Sequence, residues 1–314
     1  MRTTAGHAFR QLLRRRRADG AEAQEGSLIL PGCFDGIVAR MAVRKGFQAL
    51  YLSGGGTSAL SGVPDVGIVG RDQFEDKLKN LAFTSGVPVL SDADTGFSDP
   101  VATVHAYIAA GAAGLHIEDQ IFPKRCGHLG GKELVPALDF AAAIQRCVEA
   151  VRDSRDNGFI ICARTDARGV EENGIDATIE RLQLYANAGA TMLFPEGLRS
   201  EDEFAHVAKS LRVGVGSDDP PFLLANMTEF GVSPQISAAR LGELGYDVAI
   251  FPMGLFRVAM RAVDAALDTL GTTGSMELLA NEDNMLTRMQ LYDLLKYDPM
   301  EMPWEYPNPS SKHK

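Results

Sequence analysis

An alternation constrains this chain more than any other feature. A short apolar or β-branched run is followed by a longer amphipathic stretch, and the pair recurs along the chain. The runs fall at 27–30, 49–52, 87–91, 114–117, 159–163, 191–194, 222–225 and 248–251. Several follow a glycine that reads as a helix stop, as at Gly46, Gly111 and Gly245, because glycine enters the left-handed region without a steric cost. Strands alternating with helices pair in parallel, since each helix carries the chain back to start the next strand. Eight such units predict an α/β fold, a (β/α)8 barrel of the TIM type. The alternative is an open, doubly wound sheet. That architecture usually carries GxGxxG after its first strand, and here the first run leads into Pro31-Gly32-Cys33-Phe34-Asp35-Gly36.

The 314 residues read as one barrel domain with additions at both ends. Residues 254–314 hold apolar-periodic segments at 254–270, 275–281 and 285–297, then an extended tail with Pro303 and Pro307. Helices beyond the eighth strand have no barrel face to cover. They are expected to pack on a neighbouring subunit and to be exchanged with it, in a homo-oligomer for which a tetramer is favoured. Residues 1–26 form an N-terminal arm or helix. Arg2, Arg10 and the run Arg14 to Arg17 precede the first acid, Asp19. That pattern suits an organelle address and also suits an amphipathic helix with Phe9, Leu12 and Leu13 turned to the protein.

Composition narrows the function. Lys and Arg number 31 against 41 Asp and Glu, a net charge of −10, which argues against a nucleic-acid partner. No apolar stretch approaches the ~20 residues that span a bilayer. Cys33, Cys126, Cys147 and Cys162 form no CxxC pair, and no secretory segment precedes them. Reduced thiols in a bacterial cytoplasm are the expectation.

Catalytic groups of a barrel sit at the C-terminal ends of its strands, and here nearly every run ends in a polar group. The second ends in Tyr51, Leu52, Ser53, Gly54, Gly55 and Gly56, the third in Asp92 and Asp94, and the fourth in His116 and Glu118. The fifth ends in Arg164 and Asp166, the sixth in Glu196, and the seventh in Asn226 and Thr228. Buried charge must be paired, so a barrel built for stability alone has no need of it. Asp92 and Asp94 stand two apart, which on a strand points both the same way. With Glu118 on the next strand they predict a site for Mg²⁺ or Mn²⁺, hard ions that prefer oxygen. The competing reading has Asp92 cap a helix and Asp94 pair with Arg164. The Gly54–Gly56 run would either offer backbone N–H groups to an anion or make a tight turn at positive φ. Cys126 lies among Lys124, Arg125 and His128, whose charge favours its thiolate. A nucleophile or a general acid fits that setting, and the surrounding glycines suit a moving loop.

These residues resemble the isocitrate lyase and phosphoenolpyruvate mutase superfamily over about residues 27–297. The marks are YLSGGG at 51–56, DADTG at 92–96, GLHIEDQ at 114–120, KRCGH at 124–128, ARTDA at 163–167, LFPE at 193–196 and NMTEFG at 226–231. KRCGH is the most specific, because the phosphonate mutases of the superfamily lack that cysteine. Within the superfamily the chain looks most like the short lyases of propionate degradation, in the methylcitrate cycle. The resemblance implies Mg-dependent retro-aldol cleavage of a tricarboxylate, 2-methylisocitrate, to pyruvate and succinate. It implies that Ser53, Gly54 and Gly55 hold the keto-acid carboxylate. Asp92 and Asp94, with Asp65 and Glu118 further out, would hold the metal. Arg164 would pair with substrate, joined by Arg125 and Gly127. Glu196, Asn226 and Thr228 would bind the succinate-forming end. Cys126 would be the general acid, tuned by Lys124, Arg125 and His128, and Tyr51 is the candidate base, with Glu196 or a metal-bound hydroxide as alternatives. Segment 127–136 reads rather like an isocitrate lyase loop. Isocitrate, oxaloacetate and 2,3-dimethylmalate therefore remain alternative substrates, a phosphonopyruvate mutase an alternative activity, and an inactive binding barrel a third possibility.

Overall fold

The computed structural model describes residues 3–19, 26–125, 127, 130–214 and 220–297. Its centre is a barrel of eight parallel strands. They are β1 (Leu28–Pro31), β2 (Leu50–Leu52), β3 (Val89–Asp92), β4 (Gly114–Glu118), β5 (Ile160–Thr165), β6 (Met192–Pro195), β7 (Phe222–Asn226) and β8 (Val248–Phe251). The pairing order is β1-β8-β7-β6-β5-β4-β3-β2. The seam between β1 and β2 is joined by a bridge from Gly32 to Tyr51, where the Cys33 N–H donates to the Tyr51 carbonyl at 2.9 Å. Each strand lies within two residues of the run that predicts it.

Period-two alternation divides these strands between two cores. Leu28, Leu30, Leu90, Ile160, Cys162, Phe194, Leu224 and Ile250 fill the barrel interior. Leu50, Leu52, Leu115, Ile117, Ile161, Leu193 and Leu223 point outward under the helical ring. The helices start and stop where local chemistry says they should. α2 (Gly36–Arg44) is capped by Asp35, which accepts from the Val38 N–H at 2.8 Å. α3 (Gly54–Leu60) begins at Ser53, α4 spans Arg71–Ser85, and α5 (Pro100–Ala110) pairs an Asp99 cap with a left-handed Gly111 stop. α6 (Ala137–Arg152), α7 (Gly174–Asn187), α8 (Glu201–Gly214) and α9 (Ala238–Leu244) complete the ring.

The arginine-rich start forms a helix, α1 (Ala5–Asp19), lying across the N-terminal end of the barrel. Phe9 and Leu13 are 0% and 1% exposed and belong to the interior core. Burial of this kind contributes roughly 1.5–3 kcal/mol per large apolar side chain. Asp156 anchors the helix from the far side, accepting from Thr4 Oγ1 at 2.5 Å and the Gly6 N–H at 2.8 Å. Gly6 is required by close approach, since a Cβ there would lie 2.3 Å from the Phe159 nitrogen.

After β8 comes α10 (Gly254–Thr273), twenty residues with none buried. Val258, Val263 and Leu267 on it are 72%, 48% and 61% exposed. The expected helix at 275–281 shrinks to one 3₁₀ turn, Glu277–Leu279. α11 (Arg288–Leu295) returns to the barrel beside α2, with Leu294 buried and Arg44 paired to Asp293 at 2.9 Å. The predicted extended tail from residue 298 lies outside the described residues.

Candidate active site

A cavity of about 330 Å³ opens at the C-terminal mouth. Tyr51, Ser53, Gly55, Asp65, Asp92, Glu118, Lys124, Arg125, Gly127, Arg164, Glu196, Asn226 and Thr228 line it. A larger hollow, about 660 Å³, lies at the other end beside α1 and α9. Its Arg17 and Arg212 are engaged with Asp247 at 2.8 and 3.6 Å, pairs that tie α1 and α8 to the barrel, whereas the strand-end groups converge at the mouth. Cys126 and His128 lie outside the described residues.

Arg164 is the electrostatic centre. The β4–β5 register sets Glu118 beside it, and its guanidinium lies 3.2 Å from Glu118, 2.9 Å from Asp166 and 3.3 Å from Glu196. Burial disfavours its charge, but these carboxylates outweigh burial and hold it firmly protonated. Its plane also stacks toward the Phe194 ring at 5.1 Å. Asn226 Nδ2 reaches Glu196 Oε2 at 3.1 Å, so β5, β6 and β7 share one polar network.

The carboxylates at β3 are arranged differently from the expectation. The strand ends at Asp92, and Asp94 follows in a left-handed turn at φ 48°, so strand alternation does not orient the pair. Asp92 Oδ1 accepts the Asp94 N–H at 3.0 Å, and Oδ2 accepts the Gly54 N–H at 3.0 Å. Asp92 therefore does cap α3, whereas Asp94 pairs with Lys124 at 2.5 Å rather than with Arg164. Lys124 also meets Asp65 at 2.6 Å. Burial works against its ammonium, yet Glu118, Asp94, Asp92 and Asp65 together raise its pKa well above the usual value. Burial, partly offset by Lys124, pushes Asp94 up to about 7. Burial works the same way on Asp92, but His116, Lys124 and Arg164 hold it down at about 2. Glu118 is pushed well up by burial, and its Oε1 has no hydrogen-bond partner among the described residues.

Among the described residues no three carboxylate, imidazole or thiol groups stand close enough to hold an ion unaided. The donor set nevertheless suits a hard cation held partly through water. Asp92 and Asp65 line the cavity, Asp94 stands behind them against Lys124, and Glu118 Oε1 is buried and unmatched, a costly state for a carboxylate. Mg²⁺ characteristically keeps several waters and few carboxylates.

The glycine run does not make the tight turn of one alternative. None of Gly54, Gly55 and Gly56 adopts positive φ. They open α3, with Ser53 Oγ accepting from the Gly56 N–H at 3.3 Å. Gly54 is needed because a Cβ there would fall 2.6 Å from Asp92 Oδ2. Behind Asp92, Tyr51 OH meets His116 Nε2 at 2.7 Å. Burial first, then the Asp92 charge, raises the Tyr51 pKa well above an ordinary phenol. Glu229, Phe230, Met253 and Arg257 complete the cavity rim. Glu229 and Phe230 belong to the NMTEFG segment, whereas sequence reasoning missed Met253 and Arg257, because no spacing links α10 to the residue 226 motif.

Comparison with known proteins follows the same lines. Residues 21–270 match the family described as phosphoenolpyruvate phosphomutase. A Corynebacterium glutamicum protein named "Probable 2-methylisocitrate lyase 2" is 43% identical over 272 residues, 86% of this chain and 84% of that one. The 2-methylisocitrate lyase of Escherichia coli is 37% identical over 297 residues, 93% of this chain and 92% of that one. The crystal structure of 2,3-dimethylmalate lyase superposes with a TM-score of 0.81 at 31% identity, covering 94% of this chain and 92% of that one.

Proposed function

The chain belongs to the phosphoenolpyruvate phosphomutase family and is a carbon–carbon lyase within it, and we propose that its substrate is 2-methylisocitrate, cleaved to pyruvate and succinate. The observation that carries this reading is the seating of Lys124, Arg125 and Gly127 on the cavity, with Lys124 between Asp65 and Asp94 and Gly127 against Arg164. That loop holds the cysteine which separates the superfamily's lyases from its mutases.

In this reading Asp92 and Asp94, with Asp65 and Glu118 in the wider shell, would hold Mg²⁺, or Mn²⁺ in its place. When bound it supplies Lewis-acid polarisation of the substrate's α-oxygen. The chain's own groups do the rest. Ser53 and the Gly55 N–H face the keto-acid carboxylate, since the Gly54 and Gly56 N–H groups are given to Asp92 and Ser53. Arg164, Arg125 and Lys124 offset a substrate bearing three carboxylates. The α-hydroxyl proton passes to the Tyr51 oxygen as the phenol gives its own proton to His116 Nε2, or goes to Glu196. The C2–C3 bond breaks, and C2 becomes the ketone of pyruvate. The other fragment is an electron-rich succinate carbanion, which donors must stabilise as its charge develops. Asn226, Thr228 and Glu196 line its side of the cavity. The Cys126 thiol gives its proton to that carbon.

Purified protein with Mg²⁺, offered 2-methylisocitrate and isocitrate in parallel, tests the substrate. Pyruvate with succinate at the higher kcat/KM is the expected result, and a preference for isocitrate overturns it. A methyl difference is worth only ~1–3 kcal/mol in a pocket, and the dimethylmalate relative keeps that substrate as the second reading. The unburied apolar residues of α10 support a homo-oligomer in which a second copy covers that helix. No helix among the described residues is long and apolar enough to cross a membrane, and the reading places the enzyme in a bacterial cytoplasm.

A further inference from the structure

The loop between β4 and α6 is fastened to the barrel at two lysines, and only one of them faces the cavity. Its stem is a backbone pair, with the Val135 N–H donating to the Asp119 carbonyl at 2.9 Å and the Ile121 N–H to the Glu133 carbonyl at 2.8 Å. Gln120 braces the outgoing arm. Its Nε2 donates to the Arg125 carbonyl at 2.9 Å, and its Oε1 accepts the Arg125 N–H at 2.9 Å. Lys124 enters the carboxylates of the cavity floor. Lys132 turns the other way. Its side chain is 4% exposed and donates to Asp166 Oδ1 at 2.8 Å and to the Gly127 carbonyl. Asp166 is itself fully buried, with Oδ2 receiving Arg164 Nε at 2.9 Å and Oδ1 also receiving Arg164 Nη2 at 3.2 Å. Gly127 sits so close that a Cβ would lie 2.3 Å from Arg164 Nη2 and 2.7 Å from Glu196 Cγ.

Lys132 is absent from the cavity lining, so it has no direct contact with a ligand there. A buried ammonium persists only where its donors are satisfied, and here they are satisfied by the loop and by the carboxylate that orients Arg164. We infer that Lys132 is a positioning residue, which pins the Gly127 carbonyl to Asp166 and thereby holds that glycine in register with Arg164. The assignment rests on the lyase reading only in taking this loop as the working one.

The test uses full-length protein carrying Lys132→Met or Lys132→Arg, with circular dichroism to verify folding. Should Lys132→Met fail to fold, Lys132→Gln takes its place. Iodoacetamide labelling of Cys126 is followed by peptide mass in the presence of Mg²⁺, with buried Cys33, Cys147 and Cys162 as internal controls. Removing a nearby positive charge by itself disfavours the thiolate and slows labelling. Release of the loop does the opposite, and labelling about fivefold faster is expected in Lys132→Met. Turnover of 2-methylisocitrate should lose about tenfold or more in kcat, with KM within about threefold, because misplacement acts after binding. Lys132→Arg should recover both. Labelling that is unchanged or slower overturns the assignment, as does a kcat within about threefold of the parent. If the parent turns over none of the 2-hydroxy acids yet labelling accelerates in Lys132→Met, the substrate reading falls and the role of Lys132 stands.

Discussion

Tyr51 and His116 face one another inside the barrel, the phenol oxygen 2.7 Å from His116 Nε2 and both side chains buried. Burial, opposed in part by Asp92, lowers the His116 pKa from 6.5 to about 4. The native state therefore binds fewer protons than the unfolded chain between these values. Stability contributed by neutral His116 is fully present above pH 6.5 and is lost as the pH falls toward 4. In the metal-free protein the loss should be on the order of 3 kcal/mol over that window. Urea unfolding at pH 4.5 and 7, compared with His116→Asn, measures it. An equal pH slope in parent and variant would remove His116 as the cause.

Gly127→Ala should abolish turnover without unfolding the barrel. The added methyl meets Arg164 and Glu196 at distances no packed carbon tolerates, and the loop can yield where the strands cannot. A fall of about 10²-fold or more in kcat/KM is expected, with a melting temperature close to the parent's. Activity within tenfold of the parent would mean that the loop stands clear of Arg164 during turnover.

Phe9→Ala should cost about 3–5 kcal/mol, the usual cost of opening an aromatic-sized hole in a core. Phe9 is wholly enclosed by barrel residues although it comes from outside the barrel sequence. Chemical denaturation gives the number. A cost below about 1 kcal/mol would show that α1 rests on the barrel without supporting it.

The uncovered face of α10 predicts self-association. Val258→Glu and Leu267→Glu introduce charge on two of its most exposed apolar positions, and together they should convert an oligomer into a smaller species by light scattering. A parent that is monomeric at micromolar concentration ends the idea.

The barrel was legible because its strands are local apolar runs of the right length, each ended by glycine or charge. The site was legible in composition more than in geometry. Asp92, Glu118, Arg164 and Glu196 fall at strand ends and meet as expected, since the ring of strands does the aligning. Asp94 was misread because the chain leaves the strand one residue earlier and turns left-handed. Lys124, read from sequence as a companion to Cys126, reaches Asp65 and Asp94, contacts far away in sequence. Lys132 and Glu229 lie in marked segments with nothing local to assign them a contact, and Arg257 carries no pattern at all. Their places depend on how a loop and the helix after β8 lie across the mouth, which no short-range periodicity encodes.

The helix at the foot of the barrel also sets the traffic through it. With Phe9 and Leu13 stoppering one end, the cavity among the described residues is a well that opens at the strands' C-terminal ends. Two fragments made from one substrate must leave by the way it entered. The piece nearer the floor is trapped behind the piece nearer the rim, so departure has an order imposed by plumbing rather than by affinity.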